Sequence, residues 1–193
     1  MLFVFNKPYG VISQFTPDGS PHRPLKEFGF PPDVYPIGRL DADSEGLLLL
    51  SDEADLNRKL LRPENNHHRI YWVQVERVPT PEVMAALQAG PTIQGYKTKP
   101  CRAILLDPQP EIPARVPPIR MRKSVPDCWI EMELVEGKNR QVRHMTAAVG
   151  HPTLRLIRKR IGSFDLDELP PGKWKKLNQS DREKVFKNIN RET

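Results

Sequence analysis

Leucine fills four consecutive positions from Leu47 to Leu50, bounded by Gly46 and by Ser51-Asp52. A short, uniformly apolar run with such ends predicts a strand buried on both faces. Leu2 to Phe5 reads as a second buried strand. Lys7-Pro8 imposes an extended backbone, and Gly10 permits a turn into a predicted strand at Val11-Ile12-Ser13. Arg69 to Val78, RIYWVQVERV, alternates as a half-buried strand does. Residues 101–107, 127–137 and 154–162 read as further strands, and 35–40, YPIGRL, as a loop or bridge.

Helical spacing appears at Ala54, Leu56, Leu60 and Leu61, ahead of Pro63. A second helix is predicted between Thr80, its N-cap with Pro81 in the first position, and Gly90, which closes it. A third spans about Asn139 to Val149 and stops at Gly150, and a short C-terminal helix begins with Ser180 as its cap. Residues 108–126, rich in Pro and Arg, read as a mobile loop or hairpin tip. No repeat of 20–50 residues is present. Strands outnumber helices and the two are mixed, so the predicted class is α+β with a mainly antiparallel sheet.

The 193 residues suit one domain, 1–193, built as one piece or in two lobes. The 21 prolines disfavour a helical bundle. Net charge is +6, which points to a polyanionic partner or simply to solubility. Two cysteines, Cys101 and Cys128, form no CxxC pair, which argues against a disulfide scaffold or zinc knuckle and fits a reducing cytoplasm. The first residues lack the basic region of a signal peptide, and no stretch approaches the ~20 apolar residues of a membrane span.

The chemistry lies in two places. Asp41, Asp43 and Glu45 crowd against the leucine run. Together with Gly46 and Asp52 they mimic part of a calcium loop, but the second half of that loop would be LLLLS, which belongs in a core. Asp43 and Glu45 read as solvated loop residues. Asp41 stands where a carboxylate is partly desolvated and needs a cationic partner to stay ionised. The second place is Lys138–Arg160, with seven Lys/Arg and no Asp/Glu. On the predicted helix Arg140, Arg143 and His144 share one face. A solvated face or a phosphate groove both fit this run.

Four stretches, FNKPYGVISQ, GRLDADSEGLLLLSD, RIYWVQV and EGKNRQVRHMTAAVGHPTLRLIRKRIG, resemble in order the motifs of the RsuA-type pseudouridine synthases. They reach from Phe5 to Gly162. The resemblance implies a mixed, mainly antiparallel sheet flanked by helices, with a catalytic cleft between two lobes. It also implies an isomerase that converts a uridine of 23S ribosomal RNA to pseudouridine without cofactor or metal. The C1′–N1 bond is cut, the base turns, and C1′ rejoins at C5. The substrate is free RNA or a pre-ribosomal particle, the protein a cytoplasmic monomer, and the S4-like RNA-binding domain of many relatives is not expected here.

By the same resemblance Asp41 is the catalytic carboxylate, Tyr71 stacks on the uracil, and Arg143 pairs with Asp41. An ordinary strand aromatic and a phosphate contact are the competing roles of the last two. Leu156 packs against the base or simply in the core. Arg39 fills the gap left by a flipped nucleotide, or makes a structural ion pair. Lys7 and Tyr9 shape the cleft floor. Lys138, Arg140, Arg155, Arg158 and Lys159 are RNA-contact candidates, joined by the loop at 114–123 and the Lys-rich tail. The alternative function is a non-catalytic RNA-binding module that uses the basic face.

Overall fold

The computed structural model describes residues 1–62, 65–119 and 124–187. Pro63, and Arg120, Arg122 and Lys123 of the Pro/Arg loop, lie outside the described residues. In chain order the elements are β1 (Leu2–Lys7), β2 (Tyr35–Ile37), β3 (Glu45–Ser51), α1 (Asp55–Leu61), β4 (Arg69–Glu76), α2 (Pro81–Gln88), β5 (Thr92–Ile93), β6 (Tyr96–Lys97), β7 (Arg102–Leu105), β8 (Asp127–Leu134), α3 (Gln141–Ala148), β9 (Thr153–Ile161), β10 (Phe164–Asp165), β11 (Trp174–Lys176) and α4 (Gln179–Phe186). A short 3-10 helix covers Leu25–Phe28. The chain divides into two compact units, Met1–Arg69 with Ile157–Thr193, and Ile70–Leu156.

The first unit is built on the strand order β11-β1-β3-β9. β1 runs antiparallel to β3 over its whole length, Leu2 facing Ser51 and Lys7 facing Gly46. β3 then uses its other edge twice. Glu45 and Gly46 pair in parallel with Ile157 and Arg158 of β9, and Leu49–Ser51 pair with β2. Alternation along the strands feeds two cores: Leu2, Val4, Leu47 and Leu49 enter one, Phe3, Phe5, Leu48 and Leu50 the other. All seven residues of β3 are buried. Two covered faces are why Leu47–Leu50 carry no polar position.

Leu56 and Leu60 of α1 and Val185 of α4 cover the first core. The segment from Val11 to Val34 covers the second, where Phe30 stacks on Trp174 at 5.4 Å. Arg182 of α4 makes two 2.6 Å bonds to the Glu53 carboxylate and so ties the last helix beside the first. That guanidinium holds Glu53 well below the usual carboxylate range, at about 2.

The second unit has the order β9-β4-β8-β7, with β7 and β8 antiparallel. Tyr71, Val73 and Val75 alternate into a core with Leu87 of α2 and Val142 and Met145 of α3. The other face of β4 is polar and cross-bonded. The Trp72 indole donates to Glu131 at 3.2 Å, and the Gln74 amide to Asp127 at 2.9 Å. Thr80 caps α2 by accepting from the Val83 amide at 3.4 Å, and Pro81 occupies its first turn.

Several expectations are corrected. Val11–Ser13 is not a strand; Val11 makes only an isolated bridge to Arg23. YPIGRL contains a strand, β2, because Leu49–Ser51 offer an edge that β9 has already left. Glu45 is not a solvated loop residue but the buried first residue of β3. The third helix starts at Gln141, so Arg140 is not on its face. Arg140 precedes it in the left-handed conformation, φ 47°. Asn178, not Ser180, caps α4, its side chain accepting from the Asp181 amide at 2.8 Å.

Candidate active site

Asp41 lies in the first unit on a four-residue turn closed by the Ser44 amide donating to the Asp41 carbonyl at 3.0 Å. The Ser13 hydroxyl accepts from the Leu40 amide at 2.9 Å and donates to the Leu40 carbonyl at 2.7 Å. On the other side of Asp41, the Gly10 amide donates to the Ala42 carbonyl at 2.7 Å. Leu40 itself is buried in the second core of this unit. The half-buried Asp41 is therefore set on backbone fixed on both sides.

Beneath the turn Lys7 is fully buried. Its amine donates to the Val11 carbonyl at 2.6 Å and to the Pro8 carbonyl at 3.2 Å. Burial pulls its pKa down to about 7, against the opposing pull of the Glu45, Asp43 and Asp41 carboxylates; the Arg158 guanidinium pushes it down further. Register places Lys7, Gly46 and Arg158 in one row across β1, β3 and β9. Gly46 is obligatory there: φ is +98°, and a Cβ would stand 2.4 Å from the Arg158 carbonyl oxygen. Arg158 is buried and donates from Nε to the Leu47 carbonyl at 2.7 Å, at the point where β3 passes from β9 to β2. Lys159 approaches Asp165 at 3.9 Å and Arg160 binds the same carboxylate at 2.7 Å. Arg39, just before the turn, is exposed.

Tyr71, Arg143 and Leu156 lie in the second unit. Tyr71 and Leu156 share its core cluster. Arg143 is half-buried on α3 and donates to the Thr153 carbonyl at 3.4 Å, while its own carbonyl accepts from the Thr146 hydroxyl at 3.2 Å. The approach to α3 is organised by Glu136, buried one turn ahead. Its carboxylate accepts from the Tyr96 hydroxyl at 2.9 Å, the Lys99 amide at 2.8 Å and the Gln141 amide side chain at 2.6 Å. Gln141 in turn accepts from the Lys138 amide at 2.9 Å. No side chain caps α3 itself; these bonds fix the loop ahead of it, which ends at Arg140 in the left-handed conformation, and the helix begins at Gln141. Lys138 projects over the Tyr96 ring at 4.5 Å.

Arg155 is buried, donates to the Pro113 carbonyl at 2.8 Å and faces the Trp129 ring at 6.0 Å. Arg155 and Arg158 thus bind backbone carbonyls in their own units and are buried, whereas Arg39, Lys138 and Arg140 are exposed. Sequence reasoning did not single out Ser13 or Glu136. The bond from Ser13 to Leu40 spans 27 residues, so no local spacing announces it.

Among the described residues no group of three or more His, Cys, Asp or Glu is placed to hold a metal ion. The calcium-loop pattern fails because its second half is strand β3.

The sequence pattern of the family described as RNA pseudouridylate synthase matches residues 1–148. A Xanthomonas axonopodis pv. citri protein named ribosomal large subunit pseudouridine synthase E is 52% identical over 172 residues, 89% of this chain and 90% of that one. A Vibrio vulnificus protein of the same name is 41% identical, covering 92% of this chain and 75% of the other. A solved structure described as a pseudouridylate synthase superposes with a TM-score of 0.78 at 27% identity, over 95% of this chain and 73% of that one.

Proposed function

The chain belongs to the RNA pseudouridylate synthase family, and from that premise we propose that it isomerises one uridine of 23S ribosomal RNA to pseudouridine. The target base flips out of its stack, which costs a few kcal/mol. The C1′–N1 bond breaks, uracil turns in place, C1′ bonds to C5, and the hydrogen on C5 leaves as a proton while N1 gains one. The sum is an isomerisation that consumes nothing.

Asp41 is the catalytic residue. Negative charge leaves with the uracil while cationic character grows at C1′, and a carboxylate on a rigid turn beside that carbon stabilises the charge or attacks it. The observation that carries this assignment is the fixed turn, bonded at Leu40, Asp41 and Ala42. Tyr71, Leu156 and Arg143 take the roles that the family motifs give them, Tyr71 stacking on the uracil and Leu156 packing against it. Arg39 fills the place of the flipped base.

Lys138, Arg140 and Lys159 contact the RNA backbone. Lys7, Arg155 and Arg158 brace the backbone of their own units through the carbonyls they bind. Residues 1–193 act as one catalytic domain, in the cytoplasm, as a monomer, on free or assembling RNA. None of the described helices is long and apolar enough to cross a membrane.

Incubating the purified protein with ribosomal RNA carrying tritium at uridine C5 tests the reaction, because the new C1′–C5 bond expels that hydrogen. Stoichiometric tritium release is the expected result. Binding of the RNA without release would reduce the protein to an RNA-binding module.

A further inference from the structure

We propose that Ser13 is a positioning residue for the isomerisation, acting through Leu40 on Asp41; the proposal rests on the catalytic role assigned to Asp41. Ser13 is 4% exposed, and its hydroxyl closes two bonds to one residue, accepting from the Leu40 amide and donating to the Leu40 carbonyl. A hydroxyl has one proton to donate, and here it is spent on the carbonyl that leads into the Asp41 peptide. The orientation of that peptide plane sets where the Asp41 side chain departs from the backbone.

The segment that carries Ser13 is itself held. The Ile12 amide donates to the Arg23 carbonyl at 3.0 Å, the Arg23 amide to the Gly10 carbonyl at 2.9 Å, and Lys7 binds the Val11 carbonyl at 2.6 Å. The same segment fixes Ala42 through the Gly10 amide. Residues 10–13 therefore form a bracket around Asp41, and Ser13 is the one member of it that acts by side chain on the residue before the carboxylate. The Leu40 side chain is anchored separately in the core, so loss of the hydroxyl frees the peptide plane without releasing the loop.

The test measures kcat and KM by tritium release for Ser13→Ala and Ser13→Cys, at a temperature where each is fully folded. Val185→Ala serves as a control destabilised in helix α4, whose Val185 packs in a different core from Leu40. A small misplacement of a reacting group costs on the order of a hundredfold. The expected result is a fall in kcat of at least about tenfold for Ala, with KM for RNA changed less than about threefold. A thiol is a weak donor and acceptor, so Cys is expected to fall by at least about fivefold, which keeps the test alive if Ala does not fold. Smaller falls overturn the proposal, as does an equal loss of kcat in Val185→Ala. Asp41→Asn is assayed in parallel. If it stays active, the premise is gone; if it is inactive while the Ser13 variants keep their kcat, only the role of Ser13 is refuted.

Discussion

Lys7 shows how far a single residue's chemistry departs from what its name suggests. An amine pulled down from 10.5 to about 7 is shared between its charged and neutral forms near neutral pH, and even the neutral form keeps two protons, enough for the Val11 and Pro8 carbonyls it binds. The groups around it are the Glu45, Asp43 and Asp41 carboxylates and the Arg158 guanidinium. Its folded pKa lies below its unfolded one, so between about 7 and 10.5 the unfolded chain binds the extra proton. Stability from this group is therefore lowest below pH 7 and rises through that window. We expect the difference in melting temperature between the parent and Lys7→Met to shift in the parent's favour from pH 7 to 9.5; a constant difference would contradict the depressed pKa. The family motif gives Lys7 an expected place on the cleft floor, but its burial could not be read from the sequence, because its acceptors lie on a chain reversal set by Gly10. Asp41 stands out in the sequence because a carboxylate beside four leucines is an electrostatic anomaly. Ser13 was not, since a serine inside an apolar stretch looks like any other strand residue.

At the scale of elements, periodicity failed where side chains or neighbouring edges intervened. β3 was legible because both its faces are covered, and α2 because Thr80, Pro81 and Gly90 mark its ends. β2 was hidden, since its existence depends on β9 leaving the edge of β3 after Gly46. The loop ahead of α3 is fixed by Gln141 and Glu136, whose bonds no hydrophobic spacing encodes. Gly46 is the most constrained point of this framework. Gly46→Ala places a Cβ 2.4 Å from the Arg158 carbonyl at φ +98°. We expect a loss of at least about 3 kcal/mol in urea unfolding; a loss under about 1 kcal/mol would show that β3 and β9 separate easily there. Asn178→Ala removes the cap of α4 and is expected to cost about 1 kcal/mol by the same measurement.

For the whole molecule, charge and family point to one partner. A net charge of +6 acting on a polyanion makes affinity depend on counterion release. Raising salt from 50 to 200 mM is expected to weaken RNA binding by at least about tenfold, read by filter binding, and a flat response would contradict phosphate contact by Lys138, Arg140 and Lys159. The fold class and the family were legible because the motifs cover most of the chain. Two lobes were expected from the resemblance, but the boundary between the two units was not legible, since β9 serves both: Thr153–Leu156 belong to one and Ile157–Ile161 to the other. The central claim is that one carboxylate, Asp41, carries out the isomerisation. The most direct measurement is tritium release by Asp41→Asn under single-turnover conditions, with RNA affinity measured on the same preparation. The account predicts no detectable release with affinity within about threefold of the parent. Release at a tenth of the parent rate or faster would contradict it.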